Sequence, residues 1–556
     1  MDVVLVGLPG SGKTAVARRL ARRHGAEVVD LDERIESEAG ARIAEIFAAE
    51  GEVGFRARER AAVERLGPPD PSAGIARVVS TGGGTVVDPR NRWHLYRGRF
   101  AAWLDVRPEV LAQRLRRSHN VRPLVASSPD PLAAVRRLGT ARRRFYAAAH
   151  RIEAVAEPPK VLARLEAAIE RWAAAPAPRP AILLDAETPV GRILLGEGGA
   201  AAGIAEALAG LSARRSIVVS EPGAWSQVGD RLRADLDHAG WPLELVLLPE
   251  GEAAKRLAVV ETAARELVGL RVERGEPIVA VGGGALGDTA GFLAAVWLRG
   301  IPIVHVPTTL VAQIDSSIGG KTAVDLPDGK NLIGAFHQPA AVVIDVDLLR
   351  TLPARQLRAA LGEAVKMAVL GDERLFELLE MTGPAIARGE PAAFESGAVA
   401  ELVERCASAK VDVVTEDERE TVAASGRIRL NLGHTYGHAL EAADGYASLL
   451  HGEAVAYGLR GVVRLGRALG VTPAVRADRI ERLLDTLELA VAALPYPADR
   501  VLDALLLDKK HEAGRVRWVV PDADGALVRS DVPGPLVTEV LEGLLAGVGR
   551  PVGAEA

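Results

Sequence analysis

Val3 to Val6 is a short apolar run that stops at Gly7-Leu8-Pro9-Gly10-Ser11-Gly12-Lys13-Thr14, and a helical pattern begins directly behind it. A buried strand, a glycine-rich loop and a helix N-terminus in that order predict a parallel α/β sheet with helices packed against it. The spacing G-x-x-x-x-G-K-[ST] adds chemistry: loop N–H groups point at phosphate oxygens, Lys13 reaches the β/γ-phosphates and the Thr14 hydroxyl takes Mg²⁺. Gly10, Ser11, Gly12, Lys13 and Thr14 are therefore the expected ATP-binding residues. A second apolar run, Val28-Val29, delivers Asp30 and Asp32 at its C-terminal end, where ligands of open α/β sheets sit. One acid can help hold the metal while the other accepts a proton from a hydroxyl nucleophile.

With 556 residues the chain exceeds what one core usually holds, so several domains are expected. The best linker is Ala173 to Pro180, AAAPAPRP, an extended and semi-rigid stretch; it places a P-loop domain at 1–172 and a linker at 173–181. A net charge of −5 gives no reason to expect nucleic acid or an anionic membrane as partner. The N-terminus shows no basic leader and no apolar run reaches ~18 residues, which predicts a cytoplasmic protein. More informative is the basic composition: of 68 basic residues only nine are lysine. A chain that makes nearly every surface cation an arginine should keep lysine where a compact ammonium with adjustable pKa is needed, so the lysines become site candidates.

After the linker, four aliphatic runs (Ser216 to Val219, Leu243 to Leu248, Pro277 to Val281, Ile301 to Val306) alternate with helical patterns, predicting a Rossmann-like α/β layer over 182–350. The third ends at Gly282-Gly283-Gly284-Ala285-Leu286-Gly287-Asp288, a turn that lets backbone approach a pyrophosphate. Glu252 with Lys255, Thr308-Thr309, Asp315 to Thr322 and Lys330-Asn331 follow at the ends of successive elements, a donor- and cation-rich set suited to a dinucleotide and a phosphorylated substrate. Residues 351–556 read as helix after helix. Within them three histidines fall in eighteen residues, His434, His438 and His451. Spacing alone allows either a metal-binding i,i+4 pair with a third ligand or histidines on a helix surface. The residue after His434 is Thr435, which argues against a zinc protease.

Two families account for these motifs. Residues 1 to about 172 resemble shikimate kinase through the P-loop, Asp30-x-Asp32, Gly51-Glu52-x-x-Phe55-Arg56-x-x-Glu59, the triple glycine Gly82 to Gly84 and Arg122-Pro123-Leu124. The resemblance implies that Asp32, Arg56, Gly83 and Arg142 hold shikimate, that Arg122 is a lid over the nucleotide, and that Asp30 assists Thr14 with Mg²⁺. Within catalysis it gives Lys13, Asp32 and Arg122 the leading roles.

Residues of about 182 to 541 resemble 3-dehydroquinate synthase. That resemblance implies an NAD pocket of Glu252, Lys255, Gly283, Gly284, Asp288, Thr308, Thr309, Lys330, Asn331 and Thr351. It implies substrate contacts from Asp315, Lys321, Lys366, Lys410, Arg427, Asn431, His438 and Lys510, with Lys366, Lys410 and His438 catalytic. Zinc or cobalt is expected on Glu363, His434 and His451, so that His438 turns to substrate and away from the metal. Arg299 is expected to cross a homodimer interface to the neighbour's substrate phosphate. Two departures stand out: Ser220-Glu221-Pro222-Gly223 replaces the family's Thr/Ser-Asp turn, and the segment between Lys410 and Arg427 is about three residues longer. The expectation is thus an α/β protein with a P-loop kinase domain, a Rossmann-like layer and an all-helical metal-binding domain. It would phosphorylate shikimate and cyclise a heptulosonate phosphate. The alternatives are another small-molecule P-loop kinase or nucleotide sensor, fused to a different sugar-phosphate cyclase or a metal-dependent polyol dehydrogenase.

Overall fold

The computed structural model describes residues 1–70, 74–117, 130–154, 158–175, 179–211, 213–327, 329–419, 426–509 and 516–547. The chain divides into two compact units, Met1–Glu187 with Arg192–Ala200, and Thr188–Gly191 with Ala201–Ala556. Among the described residues no helix is long and apolar enough to cross a membrane.

The first unit is built on five parallel strands, β1 (Asp2–Val6), β2 (Glu27–Asp30), β3 (Arg77–Ser80), β4 (Phe100–Asp105) and β5 (His150–Glu153), in the order β2-β3-β1-β4-β5. Val3 to Val6 are fully buried, as expected of a central parallel strand covered on both faces. The helix Lys13–His24 starts where the P-loop ends, with Gly12 in the left-handed region at φ 92°. A helix ends at Ala174 and a strand opens at Ala181, and the border between compact units falls between 187 and 201. The strands β6 (Ala181–Thr188) and β7 (Gly191–Glu197) are held to the helix Pro89–Tyr96 by buried polar bonds. Arg92 Nε donates to Leu183 O at 2.9 Å and Trp93 Nε1 to Glu197 Oε1 at 2.7 Å.

The second unit contains five further parallel strands, β8 (Ser216–Ser220), β9 (Leu243–Leu247), β10 (Ile278–Gly282), β11 (Ile303–Pro307) and β14 (Ala341–Asp345), ordered β14-β11-β10-β8-β9. Between β11 and β14 an antiparallel pair intervenes, β12 (Lys321–Leu326) and β13 (Gly329–Phe336). Lys321, Lys330 and Asn331, expected on turns, are thus carried by a ribbon. The C-terminal part is helical with one addition, a hairpin of β15 (Trp518–Pro521) and β16 (Ala526–Arg529).

Three helices of this part meet backbone against backbone: Ala354–Val369, His434–Asp444 and His451–Ala468. A methyl group on Gly362 would overlap the Gly452 carbonyl, one on Gly452 the Ala359 carbonyl, and one on Gly458 the Gly433 carbonyl. Gly362, Gly433 and Gly452 immediately precede or follow Glu363, His434 and His451 in the chain, so the residues that let the helices touch are neighbours of those that converge. Gly458→Ala is expected to cost about 1–3 kcal/mol by overpacking, read as a lower urea midpoint with an unchanged denaturant slope.

Candidate active sites

In the first unit the P-loop lysine folds over its own loop, Lys13 Nζ donating to Gly7 O at 2.8 Å and to Leu8 O at 3.2 Å. Thr14 Oγ1 donates to Asp30 Oδ2 at 2.7 Å, while Asp30 Oδ1 caps the following helix through the N–H groups of Asp32 and Glu33. A hydroxyl and a carboxylate fixed side by side at the P-loop are hard oxygen donors that fit Mg²⁺. The triple glycine is a point of close approach. A Cβ would lie 2.8 Å from Asp32 Oδ1 at Gly82, 2.6 Å from Pro9 Cδ at Gly83, and 2.7 Å from Arg56 Nη1 at Gly84. Arg142 and Tyr146 both donate to Gly83 O, at 2.8 and 2.5 Å. Asp32, Arg56, Gly83 and Arg142 therefore gather beside the phosphate loop. Glu59, buried and pushed up by burial against the pull of Arg56, accepts from Arg56 Nη1 at 2.8 Å and Thr85 Oγ1 at 2.7 Å.

The second unit carries two adjoining lobes that share Asp288, Ser316, Asn331, His438 and His451. One, of ≈ 550 Å³, is lined by Asp315, Lys321, Lys366, Lys410, Arg427 and Asn431. The other, of ≈ 500 Å³, is lined by Glu252, Lys255, Gly284, Lys330, Glu441 and Tyr446. Gly283 caps the helix Gly284–Val296 with no side-chain hydrogen bond, and Gly284 and Ala285 of its first turn line this second lobe, a setting that suits an anion. Lys255 Nζ pairs with Asp288 Oδ2 at 2.7 Å and Asn331 Oδ1 at 2.5 Å, and Lys330 Nζ with Glu252 Oε1 at 3.0 Å.

Charge in the first lobe is dense. Lys410 Nζ lies 2.7 Å and Lys366 Nζ 3.4 Å from Asp315 Oδ1. Burial would raise the Asp315 carboxyl, but the two ammonium groups outweigh it and hold it at about 2. Burial acts on both lysines, yet their outcomes differ: Asp315 and Glu363 raise Lys366, whereas Lys366 and Arg427 leave Lys410 lowered. Arg427 donates to Gly319 O at 3.2 Å and to Glu418 O at 2.6 Å.

Behind this lobe, donor atoms of Glu363, His434 and His451 lie within 4.8 Å of one another. Glu363 is fully buried, and its carboxylate faces the Lys366 ammonium and the two imidazoles. His434 Nε2 stands 3.5 Å and His451 Nε2 3.4 Å from Glu363 Oε1. The other ring nitrogens are engaged, His434 Nδ1 with Leu432 O at 3.2 Å and His451 Nδ1 with Glu441 Oε2 at 3.2 Å. Engaged Nδ1–H groups leave both Nε2 lone pairs for an ion, the arrangement of a histidine site whose outer partners set the tautomer. Burial and the nearby Lys366 keep His434 neutral; burial opposes but Glu363 and Glu441 carry His451 up to about 10, so on that ring an ion at Nε2 takes the place of a proton. One carboxylate and two imidazoles fit an open zinc or cobalt site.

Known proteins align with both halves. The shikimate kinase family profile matches residues 9–170, and the 3-dehydroquinate synthase N-terminal and C-terminal profiles match 245–359 and 360–511. A 3-dehydroquinate synthase from a Synechococcus strain is 43% identical over 332 residues, 59% of this chain and 88% of the relative. The chain belongs to the 3-dehydroquinate synthase family. Ahead of the synthase lies a shikimate kinase domain. Among solved structures, the 2-epi-5-epi-valiolone synthase of Streptomyces hygroscopicus, with NAD⁺ and Zn²⁺ bound, is 28% identical with a TM-score of 0.58, covering 65% of this chain and 98% of its own. A 2-deoxy-scyllo-inosose synthase complexed with carbaglucose-6-phosphate, NAD⁺ and Co²⁺ is 25% identical with a TM-score of 0.57, covering 64% and 96%.

Not every expected residue of the synthase half lines its cleft. Thr308 is buried and its N–H bonds Gly282 O, Thr309 packs near Gly283, and Thr351 is exposed; none of the three lines either lobe. Arg299 is exposed and outside the lining too, on a strained turn where Leu298 and Arg299 both have positive φ, 49° and 71°. Arg122, Lys510 and residues 420–425 of the longer segment after Lys410 lie outside the described residues. Glu221 accepts the N–H of Gly251 at 2.8 Å and of Gly283 at 3.4 Å, tying together two glycine turns.

Four residues of the sites escaped the sequence reading. Glu441 follows His438 by three on one helix, a signal that was available. Ser316, whose hydroxyl is buried without a partner among the described residues, stands within Asp315 to Thr322, where nothing local sets it apart. Arg114, donating to Gly10 O at 3.2 Å, and Tyr446, beneath the Lys330 ammonium at 4.5 Å, carry no local pattern.

Because the folded Asp315 lies below the ordinary carboxylate range, its stabilising contribution is complete above pH ~4 and fades as pH falls toward 2. Asp315→Asn is expected to destabilise the fold by about 2–3 kcal/mol at neutral pH. In urea titrations the gap between the two proteins should narrow between pH 4 and pH 2.

Proposed function

We propose that the chain is a bifunctional enzyme that phosphorylates shikimate with ATP and converts 3-deoxy-D-arabino-heptulosonate 7-phosphate to 3-dehydroquinate with release of phosphate. The observation that carries this reading is the meeting of Glu363, His434 and His451 at one point, beside a lobe of lysines and next to a second lobe opened by a helix N-terminus.

In the kinase half, Lys13 and the loop N–H groups hold the nucleotide, and Thr14 with Asp30 holds Mg²⁺. Arg56 and Arg142 take the acceptor's carboxylate, and Asp32 accepts the proton of its hydroxyl. Arg122 is the nucleotide-side cation that the shikimate kinase resemblance implies. Phosphoryl transfer asks for positioning and charge neutralisation above all, which this cationic ring beside the P-loop supports.

In the synthase half, Glu363, His434 and His451 hold the metal. Bound zinc and NAD supply, respectively, polarisation of a substrate oxygen and a hydride acceptor that is restored within each turnover. Lys255, Lys330, Glu252 and Asn331 orient the dinucleotide over the shared wall at Asp288. Lys321, Lys366, Lys410, Arg427 and Asn431 neutralise the substrate's phosphate and carboxylate. Asp315 keeps Lys366 and Lys410 apart and oriented, and His438 faces substrate between the two lobes. The protein acts as a homodimer in which the exposed Arg299 reaches the neighbouring substrate phosphate; a strained, exposed arginine turn supports that role.

Stripping the metal with a chelator and restoring Mg²⁺ in excess is expected to stop phosphate release from the heptulosonate phosphate and leave shikimate phosphorylation intact. Lys13→Ala is expected to do the reverse. NADH accumulating in step with turnover would replace the cyclase by a dehydrogenase, and loss of both activities in Lys13→Ala would replace the kinase by a nucleotide sensor.

A further inference from the structure

The helix His434–Asp444 presents His434, His438 and Glu441 on one face at positions i, i+4 and i+7. Two of these have roles in the function proposed above; Glu441 lines the dinucleotide lobe without one. Yet Glu441 is 4% exposed and uses its two oxygens in different directions. Oε2 lies 3.2 Å from His451 Nδ1, on the side of the ring away from Glu363. Oε1 lies 3.6 Å from Lys330 Nζ, which also pairs with Glu252 and sits over the Tyr446 ring. Lys330, Glu252 and Tyr446 line the dinucleotide lobe. A single carboxylate thus spans from a ligand of the metal to the cation of the neighbouring pocket.

We propose that Glu441 is a positioning residue shared by the metal centre and the dinucleotide lobe, and that through it metal and NAD bind cooperatively. This rests on the metal site and NAD pocket assigned above. An ion on His451 Nε2 fixes the ring with its Nδ1–H toward Glu441 Oε2. The carboxylate is then locked, its Oε1 stays facing Lys330, and the ammonium is held ready in the dinucleotide lobe. Because coupling between two binding equilibria is reciprocal, NAD tightens the metal by the same factor.

The test is direct binding in the full-length protein: NAD titrated with and without saturating zinc, and zinc titrated against a competing chromophoric chelator. The wild type is expected to bind NAD at least about 5-fold more tightly with zinc. Glu441→Ala is expected to lose about 10- to 100-fold in zinc affinity, and its NAD affinity should become independent of zinc within two-fold. Glu441→Gln keeps an acceptor for Nδ1–H but no charge opposite Lys330, so it should retain most zinc affinity while losing most of the coupling. A thermal melt reports folding, and if the alanine variant melts early the glutamine variant carries the comparison. The proposal is overturned if wild-type NAD affinity ignores zinc, or if the Glu441→Gln coupling equals that of the wild type. A wild type that binds no zinc at all would instead remove the metal-site assignment.

Discussion

Direct contact between helix backbones is what the synthase half depends on. Side chains at most helix crossings keep axes 8–10 Å apart. Here Gly362, Gly433, Gly452 and Gly458 remove them, and carbonyl oxygens of one helix occupy the space where another helix would carry a Cβ. The close fit brings Glu363, His434 and His451, which come from three separate helices, to within reach of one ion. Glycine inside a helix carries a propensity cost of roughly 1 kcal/mol, and Gly362, Gly452 and Gly458 all stand within helices.

Around that centre the electrostatics follow from burial. An isolated buried carboxylate would protonate, and Glu363 does not because Lys366 and the two imidazoles surround it. Lys366 in turn would lose its proton without Asp315 and Glu363. Each charge is tolerable only through its neighbours, so the cleft behaves as one network and not as a set of independent contacts. In the kinase half Glu59 plays a similar part, drawing Arg56 toward the triple glycine while Thr85 fills its remaining acceptor.

Most of the sparse lysines fall at the candidate sites. Lys13, Lys255, Lys321, Lys330, Lys366 and Lys410 all stand at the P-loop or line the cleft, while Lys160 is exposed. Strand runs and the P-loop were equally legible, because a period and a run of apolar residues are local properties. The ribbon β12–β13 was read as turns, since Gly329-Lys330-Asn331 has the composition of a turn and pairing with Lys321–Leu326 is not written in either segment alone. Thr308, Thr309 and Thr351 sit in recognisable motifs, but which side of the backbone meets the cleft depends on packing beyond those motifs.

The amino-acid sequence alone determined the class of each half, the phosphate loop and the inventory of cations, acids and imidazoles, because each depends on residues adjacent in the chain or spaced by one helical or strand period. Spacing could not bring Glu363 to His434 and His451. Only the tertiary structure does, since Glu363 lies some seventy residues upstream of His434 and its approach depends on three helices closing over their glycines. The link from His451 through Glu441 to Lys330 arises the same way: distance in space between ionisable groups is set by packing and not by position along the chain.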